Sequence, residues 1–321
     1  MRAEVYKVQK PEELQVSSKA IVKTIEDIRL QNKLELHSFL MLRKGRLIWE
    51  QYFRPNEQDH LHVLHSVTKS FMSTAIGIAQ AQGLLHIKDP LYSFFPQYRH
   101  LCDSDWKRQI SLQHVLMMGS GFENNEAQIF GNKDIDLIAA ALSQNVIYEP
   151  GSRFQYYSLG SYLAGAAFQQ VNPEGIHAYL KRKLFIPLQI TKSRWEKCNQ
   201  GIPFGGFGLH LSAYDLTKLG QLYLQRGVWE GQQLLPESYV QEATRKQIDN
   251  SPGRTDPDWT AGYGYQFWCN AMGGFRADGM NGQYIVVLPE KEAVIVMTSR
   301  LHNMQIPLAA IQTILLPAME S

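Results

Sequence analysis

Two apolar runs rich in β-branched residues close the chain: "YIVVL" at 284–288 and "AVIVMTS" at 293–299, turning at Pro289-Glu290-Lys291. A similar pair opens it, "SFLMLRKGRLIWEQYF" at 38–53, turning at Lys44-Gly45. The stretch between them changes character. Residues 85–199 carry Pro90, Pro96, Pro150 and Pro187 and several short helical patterns. Strands at both ends with helices in the middle restrict the fold severely. The end strands must join in one antiparallel sheet, and the middle must fold as a layer against it. The expectation is an α/β fold of the α+β type, a sheet flanked by terminal helices with a mostly helical inserted layer. Residues 1–84 and 200–321 would form the sheet part and 85–199 the helical part, with a site in the cleft between them. Ile21, Ile25 and Ile28 recur at helical spacing, and "QIPLAAIQTILLPAM" (305–319) reads as a closing helix. Residues 212–224 and 236–247 also read as helices, and 264–270 and 276–288 as strands.

Composition narrows the function. Net charge is +2 over 321 residues and no Lys/Arg run is present, which argues against nucleic acid as a partner. The apolar runs are far too short to span a bilayer. Cys102, Cys198 and Cys269 are odd in number and widely spaced, which suits neither a disulfide framework nor a zinc site. The N-terminal "MRAEVYKVQKPEEL" has no apolar segment of the kind that opens a secretory signal. A cytoplasmic protein is therefore expected, unless a leader has been removed. Its partner would be a small molecule. Oligomeric state is not readable.

Three stretches could carry chemistry. "LHSVTKSF" (64–71) places Ser66 and Lys69 three apart just before an apolar helix pattern that stops at Gly83. Positions i and i+3 share a helix face, so the amine can reach the hydroxyl. Serine is a weak nucleophile at its own pKa, and a buried lysine with a lowered pKa is a base. The same spacing at Ser104 and Lys107 is expected to be ordinary surface. "PGSRFQYYSLGSYLAG" (150–165) presents Tyr156 and Tyr157 ahead of another apolar helix, and a loop tyrosine near a cation can pass a proton. "ADGMNGQYIVVLPE" (277–290) sets Gly279 and Gly282 before a β-rich run, where close approach of a ligand to the backbone is possible. Each stretch taken singly is also compatible with a capped helix, core packing or a turn. The Gly-rich "FGGFGLH" (204–210) reads as a turn. No Walker loop, G-x-S-x-G elbow or H-E-x-x-H motif is present.

In this order the three stretches resemble the serine hydrolases related to penicillin-binding proteins and class C β-lactamases. The likeness is greatest to the branch of nylon-oligomer (aminohexanoate-dimer) hydrolases and esterases. "HSVTKSF" is similar to the S-x-x-K helix, "GLLHIKDPLYSFFPQY" (83–98) to the stretch following that helix, "ISLQHVLMMGSGF" (110–122) to the family's I-T-x-x-H-L-L-x-M-x-S-G segment, and "LHLSAYDLTKLGQLYLQRGVWEGQQLLP" (209–236) to a later helical region. The resemblance implies Ser66 as acylated nucleophile, Lys69 as its proton acceptor and Tyr156 as the catalytic tyrosine. It implies an oxyanion hole from the main-chain N–H groups of Ser66 and Gln283. Ser158 stands where many relatives carry Asn. Met280-Asn281-Gly282 would take the place of the usual K-T-G or H-x-G, without its cation. Ser158, Tyr157, Met280, Asn281, Gly282 and Phe122 would contact substrate, with Trp268 a further aromatic at the wall. No metal or organic cofactor is implied. The activity implied is cleavage of an ester or amide of a small substrate. A β-lactamase or D,D-peptidase, and a catalytically silent binding relative, are the alternatives.

Overall fold

Leu36–Arg43 (β1) and Arg46–Tyr52 (β2) form the N-terminal hairpin. The structure is a computed structural model, and it describes residues 5–319 other than 32, 34, 132 and 133. Ser18–Gln31 (α1) precedes the hairpin and Val67–Ala81 (α2) follows it. Among the helices of the middle region the longest is Ser158–Val171 (α3). After it come Ala213–Leu224 (α4), the strands Trp268–Cys269 (β3), Phe275–Gly279 (β4), Gln283–Leu288 (β5) and Ala293–Ser299 (β6), and the helix Gln305–Ala310 (α5).

The end strands make one six-stranded sheet in the order β2-β1-β6-β5-β4-β3, every pairing antiparallel. Its centre is buried on both faces, which is why β5 and β6 read as unbroken apolar runs. Register assigns the faces. Met41 pairs with Ile295 and Ile295 with Val286, and all three pack in the cluster that holds Ile21, Ile25 and Ile28 of α1 and Leu308 of α5. Their neighbours Leu40, Val296 and Ile285 turn to the other face, into a larger core shared with α2, α3 and α4. That core runs without a break from the sheet through the helical layer. The period of two along a strand produces this division.

Two expectations are corrected. Residues 276–288 are not one strand. The chain turns at Met280-Asn281-Gly282, where Asn281 (φ 64°) and Gly282 (φ 81°) are both left-handed, so β4 and β5 form a tight hairpin. Asn-Gly favours such turns, because both residues tolerate positive φ. In the second case, only Trp268–Cys269 of the stretch 264–270 is strand. Ser104 and Lys107 also differ from a simple surface pair. Ser104 caps the helix Asp105–Gln109 by accepting the Lys107 N–H, and the Lys107 ammonium is buried against the Leu101 carbonyl and Asp103.

Candidate active site

Helix α2 is buried along nearly its whole length, so its first turn is held rigidly. Ser66 occupies the N-cap position, yet its hydroxyl makes no capping bond. It faces Lys69 instead, with the amine nitrogen 3.0 Å from Ser66 Oγ. Lys69 is 1% exposed. Its other neighbours are the Gly206 carbonyl at 2.7 Å and Ser158 Oγ at 3.3 Å. Burial pushes its pKa down to about 7, with the Glu126 carboxylate acting weakly in the opposite sense. The three contacts match the three hydrogens of an ammonium, and they also accommodate the neutral amine. In the neutral form two N–H groups go to Gly206 O and Ser158 Oγ, and the lone pair faces Ser66 Oγ.

Tyr156 reaches the same point from the loop before α3. Its hydroxyl shares a hydrogen bond with Ser66, and its ring lies under the Lys69 amine, 4.9 Å from amine to ring centroid. Burial raises the phenol above its usual range, so it stays protonated and can donate. The ring is fixed by stacking on Trp268, with centroids 5.8 Å apart and planes 18° apart. Ser158 donates its backbone N–H to Glu126 Oε2 at 2.6 Å, which ties the short helix Glu126–Phe130 to the start of α3.

Strand β4 closes the third side. A methyl group on Gly279 would lie 2.4 Å from the Leu64 carbonyl oxygen and 3.2 Å from the Val67 nitrogen. The strand therefore runs against the backbone that carries Ser66, and only glycine permits that approach. Gly279→Ala is expected to push β4 away and lower kcat by on the order of tenfold to a hundredfold, with the circular dichroism spectrum unchanged. Steady-state kinetics on a chromogenic ester checks this.

The residues expected at the site separate into two groups. Ser66, Lys69, Tyr156 and Ser158 come together, drawn from the 1–84 and 85–199 stretches. Met280 lies at the mouth of the hairpin, 60% exposed, followed by Asn281 and Gly282. Gln283 is 3% exposed, and its side-chain amide donates to the Ser299 carbonyl at 2.6 Å. It pairs across the hairpin with Gly279, and it is Gly279 that abuts the backbone on either side of Ser66. Phe122 and Tyr157 are each 1% exposed and pack on one another, with centroids 5.9 Å apart, so they belong to the core and not to a substrate wall. The cause is parity: Tyr157 has extended backbone (φ −143°, ψ 102°), and successive side chains there point to opposite sides. Tyr156 takes the site and Tyr157 the core.

Gly206, Glu126 and the pair Arg276–Asp278 were not signalled by spacing. Arg276 is fully buried. It donates from Nε to Asp278 Oδ2 at 2.9 Å, and its other nitrogens reach Asn270 Oδ1 at 3.0 Å and the Asp258 carbonyl at 2.9 Å. Burial raises the Asp278 pKa to about 6 against the pull of Arg276. Arg276→Met would strand this carboxylate and is expected to cost about 3 kcal/mol, read by urea unfolding at pH 8. The penalty should shrink at pH 5, where Asp278 accepts a proton.

Comparison with known proteins fits this arrangement. Residues 37–316 match the family described as Beta-lactamase. The chain belongs to the beta-lactamase family. It is 24% identical over 299 residues to the 6-aminohexanoate-dimer hydrolase of Paenarthrobacter ureafaciens, covering 84% of this chain and 74% of that one. Among solved structures, EstCE1, a hydrolase with promiscuous acyltransferase activity, superposes with a TM-score of 0.75 at 16% identity, covering 92% of this chain and 99% of its own. The octameric penicillin-binding protein homologue of Pyrococcus abyssi gives 0.71 at 20% identity, covering 91% and 76%. These two similarities bear on the fold alone. Among the described residues, no cluster of three or more His, Cys, Asp or Glu could hold a metal ion, and no helix is long and apolar enough to cross a membrane. The three cysteines are free.

Proposed function

We propose that this hydrolase of the beta-lactamase family cleaves an ester or amide bond of a small substrate through an acyl-enzyme on Ser66. The observation that carries the reading is the buried Lys69, whose depressed pKa and 3.0 Å contact with Ser66 Oγ make it a base at neutral pH. Ser66 Oγ attacks the carbonyl carbon while its proton passes to Lys69. The tetrahedral oxyanion is held by the N–H groups of Ser66 and Met280, the latter directly after Gly279, which packs on the backbone around Ser66. Tyr156 donates a proton to the departing oxygen or nitrogen, and that group leaves. Water then attacks the acyl-enzyme, giving its proton to the same base network, and Ser66 is regenerated.

Esters and amides are favoured over β-lactams and cell-wall peptides by one feature. The strand beside the nucleophile offers Ala277-Asp278-Gly279, and its nearest cation, Arg276, is fully buried and committed to Asp278. The aminohexanoate-dimer hydrolase among the chain's relatives supports this preference. A panel of short-chain esters, amides and a chromogenic cephalosporin, run on the wild type, tests the reading. Ester or amide turnover far above the cephalosporin is expected, and the reverse order would overturn the preference.

A further inference from the structure

Just before β3 the chain holds a buried polar residue that the acyl-transfer chemistry leaves unused. Gln266 is 2% exposed, and its backbone is left-handed (φ 65°), a conformation that glycine takes freely and a side chain of this size rarely adopts. Hydrogen bonds hold it there. Its carbonyl accepts from Ser70 Oγ at 2.7 Å. Its side-chain Oε1 accepts from Ser161 Oγ at 2.7 Å, and Nε2 donates to the Leu116 carbonyl at 2.7 Å. Its backbone N–H donates to the same carbonyl at 3.0 Å. Every polar group of Gln266 is used, and the partners lie on three separate segments: α2, α3 and the helix Leu112–Leu116. Backbone strain persists only where the surroundings over-determine it, and here it keeps a long amide at the junction of three helices.

The partners stand beside the chemistry. Ser70 follows Lys69 directly. Ser161 comes three residues after Ser158, on the same face of α3. Ser158 Oγ is 3.3 Å from the Lys69 amine, a contact that spans α2 and α3. The helix Leu112–Leu116 leads to Met118, whose carbonyl accepts the N–H of Gln155, the residue before Tyr156, at 2.8 Å. Two residues beyond Gln266, Trp268 stacks on the Tyr156 ring. One short segment therefore touches the supports of Lys69, Ser158 and Tyr156. A buried polar network with every member satisfied stiffens what it joins.

We propose that Gln266 is a positioning residue for catalysis: by joining Ser161 to Ser70 it fixes α3 against α2 and so sets the contact between Lys69 and Ser158. It touches none of the reacting groups itself. This rests on the hydrolase reading above, because a fixed Lys69 matters to turnover only if Lys69 is the base. Without the clamp, α3 draws back, water reaches the Lys69 amine, and burial no longer holds down its affinity for a proton.

The test breaks the clamp from each end. Gln266→Gly removes the side chain, relieves the left-handed strain and keeps the backbone bonds to Ser70 and Leu116. On a chromogenic butyrate ester, kcat should fall about tenfold with KM within about twofold, and the pH at which kcat/KM rises should move up by about half a unit or more. Ser161→Ala removes the same bond from α3 and should shift both readouts in the same direction. The double variant should be no worse than the poorer single one. An unmoved pH midpoint in both variants, whatever their melting temperatures, or losses that add in the double variant, overturns the positioning role. Ser66→Ala is run in parallel: if it is inactive, the hydrolase reading stands even when Gln266 fails. Full turnover by Ser66→Ala overturns both.

Discussion

Ser66→Ala is expected to lose hydrolysis of a chromogenic butyrate ester by at least about a thousandfold while melting within a few degrees of the wild type. The side chain makes no capping bond, so α2 does not depend on it for its start. What the variant removes is the atom that forms the acyl bond, and neither Lys69 nor Tyr156 can stand in for it. Stopped assays on the purified variant, with the folded state checked by circular dichroism, separate a chemical loss from an unfolded sample. Activity within tenfold of the wild type would rule Ser66 out as nucleophile.

Lys69→Met is expected to lose on the order of a hundredfold or more in kcat/KM. For the wild type, kcat/KM should rise as pH increases through about 7, because the unprotonated amine is the acting form. The same depressed pKa has a consequence for stability. The folded chain gives up its Lys69 proton near 7 and the unfolded chain near the ordinary value of 10.5. Between those values the unfolded state binds more protons, so Lys69 makes stability rise with pH and weighs most against folding below 7. Methionine removes that cost. The variant should melt no lower than the wild type at neutral pH and should lack this part of the pH slope. Thermal scans at several pH values check this, and a strongly destabilised Lys69→Met would mean that the amine serves packing.

The sheet was legible because β5 and β6 are buried on both faces and therefore apolar throughout. The Ser66–Lys69 relation was legible because a helix sets it within one turn. Tyr156 was legible only through the resemblance of its stretch to the serine hydrolases, because no local spacing separates it from Tyr157. What escaped the sequence depends on register or on distant contact. Matching Met280-Asn281-Gly282 to the family's K-T-G put Gln283 beside Ser66, whereas those three residues form the turn and Gly279 packs there. A one-residue change of parity likewise turned Tyr157 and Phe122 from a pocket wall into core. Gly206 and Glu126 lie far from Lys69 in the chain, and no local spacing marks either.

The most direct test is to trap the acyl-enzyme's analogue. Wild-type protein is treated with a fluorophosphonate, digested, and mapped by mass spectrometry. One adduct is expected, on the peptide carrying Ser66, and it should be suppressed in Lys69→Met. No adduct on folded protein, or an adduct on another residue with Ser66 unmodified, would contradict the account.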